Sequence, residues 1–182
     1  VKVFTTYPDR STGLMNGLER ITREFGVTHG DIASFTHGST VATNALVEMK
    51  GARCGLITTR GFRDLLELRR QKRPHVYDLQ ASKPEPIIPR RLRKEVAERL
   101  RFDGSVWTPL SEEDVRSAVS ELIEQGVESV VILFLHAYAN PAHELRAKQI
   151  VLEMAPHLDV YASSEVSPQF REFERLSTVA VN

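Results

Sequence analysis

The sharpest group of chemically capable side chains in the sequence is Thr36-His37-Gly38-Ser39-Thr40. Gly38 lets the chain turn tightly. Ser39 and Thr40 offer hydroxyls and backbone N–H groups where a helix is expected to start, a place that favours an anion or a developing oxyanion. His37 is a candidate proton donor or water-orienting group, because imidazole titrates near neutral pH. Asn44 lies one helical turn after Thr40, so the two are expected to share a side. The plainer alternative is an N-cap, with His37 bonded to a loop carbonyl. His136 closes the apolar run Val130–Leu135. A polar group there needs a hydrogen-bond partner, so His136 either faces a site or ties down the loop that ends at Asn140. His143, on the helix expected next, reads as structural. Arg70, Lys72, Arg73 and His75 have the chemistry to neutralise a phosphate or carboxylate; the alternative is a solvated basic loop. No His/Cys/Asp motif has metal-ligand spacing, so no metal ligands are assigned. Cys54 reads as a core residue at the start of a strand. No nucleophile elbow and no Walker-type glycine loop occur, which argues against an autonomous ATPase.

The elements that must position these residues alternate. Val1–Thr5 reads as a strand. A helix follows, capped by Ser11 or Thr12, with Leu14, Leu18, Ile21 and Phe25 on one face and Gly26 as its stop. Ile32–Thr36 reads as a strand, and Val41–Lys50 as a helix ended by Gly51. Arg53–Thr58 reads as a strand, and Phe62–Leu68 as a helix facing inward through Phe62, Leu65 and Leu66. After a proline-rich stretch, Glu95–Phe102 and Ser105–Trp107 read as a hairpin turning at Asp103-Gly104. Ser111 caps a helix with Val115, Val119, Leu122 and Ile123 inward, and Asp114 completes a capping-box variant. Val127–Leu135 reads as a buried strand, Pro141–Met154 as a helix, Leu158–Ala162 as a strand, and Glu172–Leu176 as the start of a further element. The alternation predicts an α/β fold with a mixed, largely parallel sheet and flanking helices. Ligands in such sheets bind at the C-terminal ends of strands. The polar groups 36–40, 58–61, 136–140 and 163–165 are therefore expected to share one rim.

Composition sets the outer limits. The 182 residues fit one domain or two small lobes, and a chain this long can bury about two-thirds of its unfolded surface. The natural lobes are 1–68 and 94–182, joined by a basic segment at 69–93 that contains Pro74, Pro84, Pro86 and Pro89. Between Arg60 and Arg101 stand 13 Lys and Arg against 6 Asp and Glu. The whole chain is neutral, 24 against 24. Neutrality argues against nucleic acid or an anionic membrane surface as the main partner, though not against a local anion site. One cysteine forbids an internal disulfide and fits a reducing, cytoplasmic location. No run approaches the roughly 20 apolar residues of a membrane span. The chain starts without methionine, and its last residues, from Leu176, form a largely apolar run without a cap. Both features lead to the expectation of a longer protein.

Taken together, several blocks resemble one family. They are Thr36–Ala45, Gly55–Asp64, Arg70–Pro74, Leu135–Glu144, Ser163–Val166 and Arg171–Arg175. In order, they look like the N-terminal region of the hydantoinase A/5-oxoprolinase family, which includes N-methylhydantoinase and acetone-carboxylase subunits. The resemblance covers essentially all of residues 1–182. It implies part of an actin-like ATPase fold of the ribonuclease H-like kind. It also implies an enzyme that spends ATP, with Mg2+, to open a cyclic amide of the hydantoin or 5-oxoproline type, or to carboxylate a ketone, by phosphorylating a poor electrophile or bicarbonate. The implied partners are a small-molecule substrate and a hydantoinase B-type subunit or its fused equivalent. A non-catalytic binding or assembly module of the same complex is the third reading. The family's glycine-rich phosphate loop and its second ATP-binding lobe have no counterpart here, so the fragment is expected to be inactive alone. Ser39 stands where the family usually has threonine. By resemblance, His37 and Thr40 are catalytic candidates. Gly38, Ser39, Asn44, Arg70, Arg73, His136 and Asn140 are candidates for substrate or phosphate binding.

Overall fold

In the computed structural model the described residues are 1–72, 77–78, 80–81 and 83–182. They form two compact units, Val1–Ala42 and Thr43–Asn182. This division differs from the expected joint at 69–93. Strands on either side of that segment pair in one sheet, which places both in the second unit.

In the first unit, helix α1 (Arg10–Phe25) starts one residue earlier than expected, because Asp9 is its cap. The Asp9 carboxylate accepts from the Ser11 N–H and the Ser11 hydroxyl, each at 2.8 Å. Those bonds, the hydroxyl foremost, hold it below the usual carboxylate range. Gly26, at φ 67°, ends the helix in the left-handed conformation. The expected apolar face is only partly covered: Ile21 and Phe25 remain 40% and 68% exposed. No strand forms at Val1–Thr5 or Ile32–Thr36 among the described residues. An extended segment becomes a strand only when a neighbour takes up its backbone groups, and neither segment has one. A short 3-10 turn at His29–Asp31 stands before the second segment, closed by the Asp31 carboxylate on the Thr28 N–H and hydroxyl.

Helix α2 (Val41–Val47) is shorter than expected. Met49, at φ 52°, takes the left-handed position, and Lys50 N–H returns to the Ala45 carbonyl at 2.8 Å, so the helix stops before Gly51. In the second unit follow β1 (Cys54–Thr59), α3 (Leu65–Leu68), β2 (Arg93–Val96), β3 (Arg99–Leu100), β4 (Val106–Thr108), α4 (Glu112–Glu124), β5 (Ser129–Leu133), α5 (Ala142–Met154), β6 (Asp159–Ala162), α6 (Ser163–Val166) and α7 (Glu172–Val181).

The main sheet has the order β2-β1-β5-β6, and every pairing in it is parallel. All five residues of β5 are buried, as a strand covered on both faces requires. The expected strand 95–102 is two elements. Arg93–Val96 joins the main sheet as an edge, while Arg99–Leu100 pairs with β4 in the predicted hairpin, where Gly104 has φ 81°. The helix expected at 62–68 contracts to the four residues of α3. On α4 the buried residues are Val115, Ala118, Val119 and Leu122, spaced as one helical stripe; Ile123 falls outside it and is exposed. The Ser111 cap forms, but Asp114 does not reach back to it. Asp114 accepts from Ala97 N–H at 2.9 Å and from Arg60 at 2.7 Å, and Ser111 N–H donates to the Ala97 carbonyl instead.

Connections between parallel strands are right-handed. The step from β1 to β2 runs one way along the sheet, and the steps from β2 to β5 and from β5 to β6 run the other. Their helices therefore lie on opposite faces. The packing agrees: α4 lies on β2 and β1 beside α5, whereas α3 lies beside α7. Adjacent strands β1 and β5 thus leave the sheet toward opposite faces, which makes their C-terminal ends the topological switch point.

Candidate functional site

The switch point is filled by a buried polar network. Thr59, the last residue of β1, donates its hydroxyl to Glu98 Oε1 and accepts from Leu135 N–H at 3.1 Å. The Glu98 side chain is fully buried, and its Oε2 lies 2.9 Å from His143 Nδ1. One carboxylate therefore ties together the end of β1, the approach to β3, the loop after β5 and the first turn of α5. The His143 side chain keeps 12% exposure. The contact fixes the first turn of α5 to the approach to β3.

A second network lies beside it at the ends of β5 and β6. Glu144, wholly buried, accepts from Phe134 N–H at 2.8 Å, the Ser163 hydroxyl at 2.6 Å and Ser164 N–H at 2.8 Å. Burial pushes its carboxyl up, against those three donors. Arg175 on α7 donates to Ser163 Oγ at 2.9 Å, to the Gln169 carbonyl at 2.9 Å and to the Phe134 carbonyl at 2.7 Å. Its guanidinium also stands over the Tyr138 ring, 5.5 Å from the centroid. The loop that carries His136 is thus clamped from both sides.

The predicted residues sort as follows. The polar ends 58–61, 136–140 and 163–165 follow β1, β5 and β6, three parallel strands of one sheet, and so share one edge. Residues 37–40 belong to the first unit and follow no strand. They are exposed, and Ser39 Oγ accepts from Val41 N–H at 3.3 Å. Asn44 lies within α2. His136 is half-buried at φ 58°, with its N–H toward Glu172 Oε1 at 3.4 Å and its ring beside Tyr138. Asn140 is committed at both ends. It donates to the Gly104 carbonyl at 2.9 Å and accepts from Ala142 N–H at 3.0 Å, and so joins the hairpin tip to the start of α5. Arg70 is exposed and paired with Glu174 on α7. Arg73 and His75 lie outside the described residues. Cys54 is half-buried, and burial pushes its thiol up.

Sequence reading passed over Glu98, Glu144 and Arg175 and set His143 aside as structural. A faint signal existed: the adjacent pair His143-Glu144 at a helix start, directly after an apolar strand that ends in a histidine.

A profile of the hydantoinase/oxoprolinase N-terminal region matches residues 1–155. The chain is 36% identical to caprolactamase subunit alpha of Pseudomonas jessenii, over 100% of this chain and 27% of that one. It is 32% identical to acetone carboxylase beta subunit of Xanthobacter autotrophicus, over 97% and 27%. Among solved structures, the ATP-dependent caprolactamase of P. jessenii matches with a TM-score of 0.86 at 36% identity, over 100% of this chain and 27% of that one. A nucleotide-free acetone carboxylase, from work on ATP-dependent acetone carboxylation, matches with 0.88 at 28% identity, over 97% and 27%. The chain thus spans 27% of the length of each of these relatives.

Proposed function

The chain belongs to the hydantoinase/oxoprolinase N-terminal family, and from that membership we propose that the complete protein spends ATP to open a cyclic amide. The observation that carries this reading is the match of this whole chain to 27% of a caprolactamase subunit at 36% identity, against 32% for the acetone carboxylase subunit. A lactam, a hydantoin and 5-oxoproline share one difficulty, a resonance-stabilised ring amide whose nitrogen leaves poorly. In this reading the complete protein is an actin-like ATPase that works with a second subunit in the cytoplasm.

In this reading His37 and Thr40 act at the reacting groups, and Gly38, Ser39 and Asn44 contribute to binding substrate or phosphate. The donor set of residues 37–40 suits the phosphates of ATP. It comprises two hydroxyls, an imidazole and the backbone at Gly38, where nothing lies within 4 Å of an added Cβ. Ser39 accepts from Val41 N–H and keeps its own hydroxyl proton to donate. ATP held there would supply a phosphoryl group to the amide oxygen, which weakens the amide resonance and opens the carbonyl carbon to water, so that the ring C–N bond breaks with a proton going to the nitrogen and phosphate is released. Mg2+ in nucleotide sites is held mainly by the phosphates, water and one or two carboxylates, and among the described residues no group of three or more His, Cys, Asp or Glu is placed to hold it without them. In the second unit, the buried Glu98 and Glu144 networks hold the loop of His136 in one conformation, a positioning role.

The test is ATP consumption by the full-length protein with its neighbouring subunit. The panel holds a lactam, a hydantoin, 5-oxoproline, and a ketone with bicarbonate. Turnover stimulated by a cyclic amide is the expected result. Stimulation only by the ketone establishes the second reading, carboxylation, which the TM-score of 0.88 with acetone carboxylase favours. No stimulation by any member leaves the binding-module reading. In the active assembly, His37→Ala is expected to lower turnover at least about tenfold, a transition-state effect of about 1.4 kcal/mol. Unchanged kinetics would remove His37 from the site.

A further inference from the structure

The second unit buries two arginines in different surroundings. Arg175 has all three guanidinium nitrogens hydrogen-bonded, with Glu144 close by. Arg93, its side chain also fully buried, donates from Nε to the Ile88 carbonyl at 2.8 Å and from Nη1 to the Arg63 carbonyl at 3.3 Å, but Nη2 has no partner among the described residues. Its nearest carboxylates, Glu67 and Asp64, stand 3.4 and 3.9 Å from Nη1 and are 45% and 42% exposed. Both form ion pairs with it, but a buried guanidinium paired only with partly exposed, water-screened carboxylates keeps part of its positive field.

That field underlies an open groove of about 730 Å3 along the outer edge of β2. Its walls carry six Lys and Arg against three Asp and Glu, and Asp64 and Glu67 pair with Arg90 and Arg93 from just outside them. Arg60, Lys94 and Arg90 are paired with carboxylates. Among the described residues Arg63 and Arg91 form no ion pair, and Arg63 Nε is a second buried donor with no partner there.

The edge also offers backbone. Val96 C=O accepts from Arg60 N–H on the β1 side at 3.0 Å. Successive residues of a strand turn their peptide groups opposite ways, so Glu95 N–H and C=O face away from β1. Both outward groups of Ala97 and the outward N–H of Arg93 are already engaged. Ala97 bonds to Asp114 and Ser111, and Arg93 N–H bonds to the Arg90 carbonyl. One rung of strand pairing is left between them.

The geometry points to this groove as the docking site of an extended acidic segment from a partner polypeptide, with its peptide groups on Glu95 and its carboxylates on Arg63 and Arg91. Two features favour a peptide over a small anion. The groove is open and polar, whereas small-ligand pockets are enclosed and mostly apolar. It also follows a strand edge, the place where an added strand gains main-chain hydrogen bonds. The inference does not depend on which substrate the complete protein takes.

The test uses full-length protein, freed of other subunits, and a fluorescein-labelled peptide of alternating Glu and Val, followed by fluorescence anisotropy. Saturable binding that weakens with salt is expected. The variant Arg63→Gln/Arg91→Gln should weaken it about tenfold or more, and a control that removes equal charge outside the groove, Arg23→Gln/Lys50→Gln, should leave it unchanged. Equal binding by the groove variant overturns the proposal, as does an equal loss in the control, which marks general polyelectrolyte attraction. Inorganic pyrophosphate binding with the same arginine dependence, where the peptide does not bind, makes the groove a small-anion site and also overturns it. If circular dichroism shows the double variant misfolded, Arg91→Gln alone decides, because Arg91 is exposed and not part of the core.

Discussion

At the scale of single residues, the second unit is organised by two buried carboxylates. Thr59→Val keeps the shape of β1's last residue but deprives Glu98 of a donor and Leu135 N–H of its acceptor. A buried group left unsatisfied costs about 1–3 kcal/mol, and urea unfolding should show a loss in that range. A change under about 0.5 kcal/mol, the usual scale of surface substitutions, would mean that the network does not hold the switch point. Arg175→Met removes three hydrogen bonds and the cation near Glu144. The change leaves the Ser163 oxygen and two carbonyls short of a donor, and a buried polar group left unsatisfied costs about 1–3 kcal/mol. Glu144→Gln in the same background should recover part of that loss, because it removes the stranded charge. A double variant no more stable than Arg175→Met alone would show that the two side chains are not coupled.

At the scale of elements, close packing sets the limits. A Cβ on Gly55 of β1 would stand 2.8 Å from Leu122 Cδ2 on α4, and Leu122 is wholly buried. Gly55→Ala should therefore cost about 1–3 kcal/mol as overpacking. Combined with Leu122→Ala, the total should fall short of the sum of the two single changes. Simple additivity in thermal unfolding would sink this account of how α4 lies on the sheet. The His136 backbone at φ 58° is a second constraint at the end of β5. Histidine tolerates that region better than most residues, but at a cost. Much of this level was legible beforehand. The Ser111 cap, the Asp103-Gly104 turn, the buried β5 and the Gly26 stop were all written in local residue types. The strands expected at Val1–Thr5 and Ile32–Thr36 were not, because extended character lies in the residues and pairing lies in the neighbour. The edge strand β2 was hidden inside a hairpin pattern, since alternation cannot tell which partner a strand takes.

For the molecule as a whole, the acid range is the informative condition. Asp9, Asp31, Asp64 and Asp103 all sit below the ordinary carboxylate range. The main causes are the hydroxyls of Ser11 and Thr28, the Arg90 guanidinium and the Ser105 hydroxyl, in that order. The unfolded chain therefore takes up protons first as pH falls. The stability these groups supply is present above their unfolded value of about 4 and is lost as pH drops through the lower folded values. Glu144 has the opposite sign: burial raises its folded value, so its contribution is complete at low pH and is lost as pH rises through that value. Urea midpoints measured downward from neutral pH should fall below about pH 4, and less steeply in Asp64→Asn/Asp103→Asn. An acid limb of unchanged steepness would place its origin elsewhere. By itself, the sequence determined the α/β class, the parallel core, the Ser111 cap, the Gly26 stop and the family blocks, because each is encoded within a few neighbouring residues. Only the tertiary structure decided that Thr59 meets Glu98 across 39 positions and Glu98 meets His143 across 45. The gathering of scattered arginines along one strand edge was decided at the same level. Hydrophobic period reports which way a side chain faces, and only the order of strands in the sheet says what it faces.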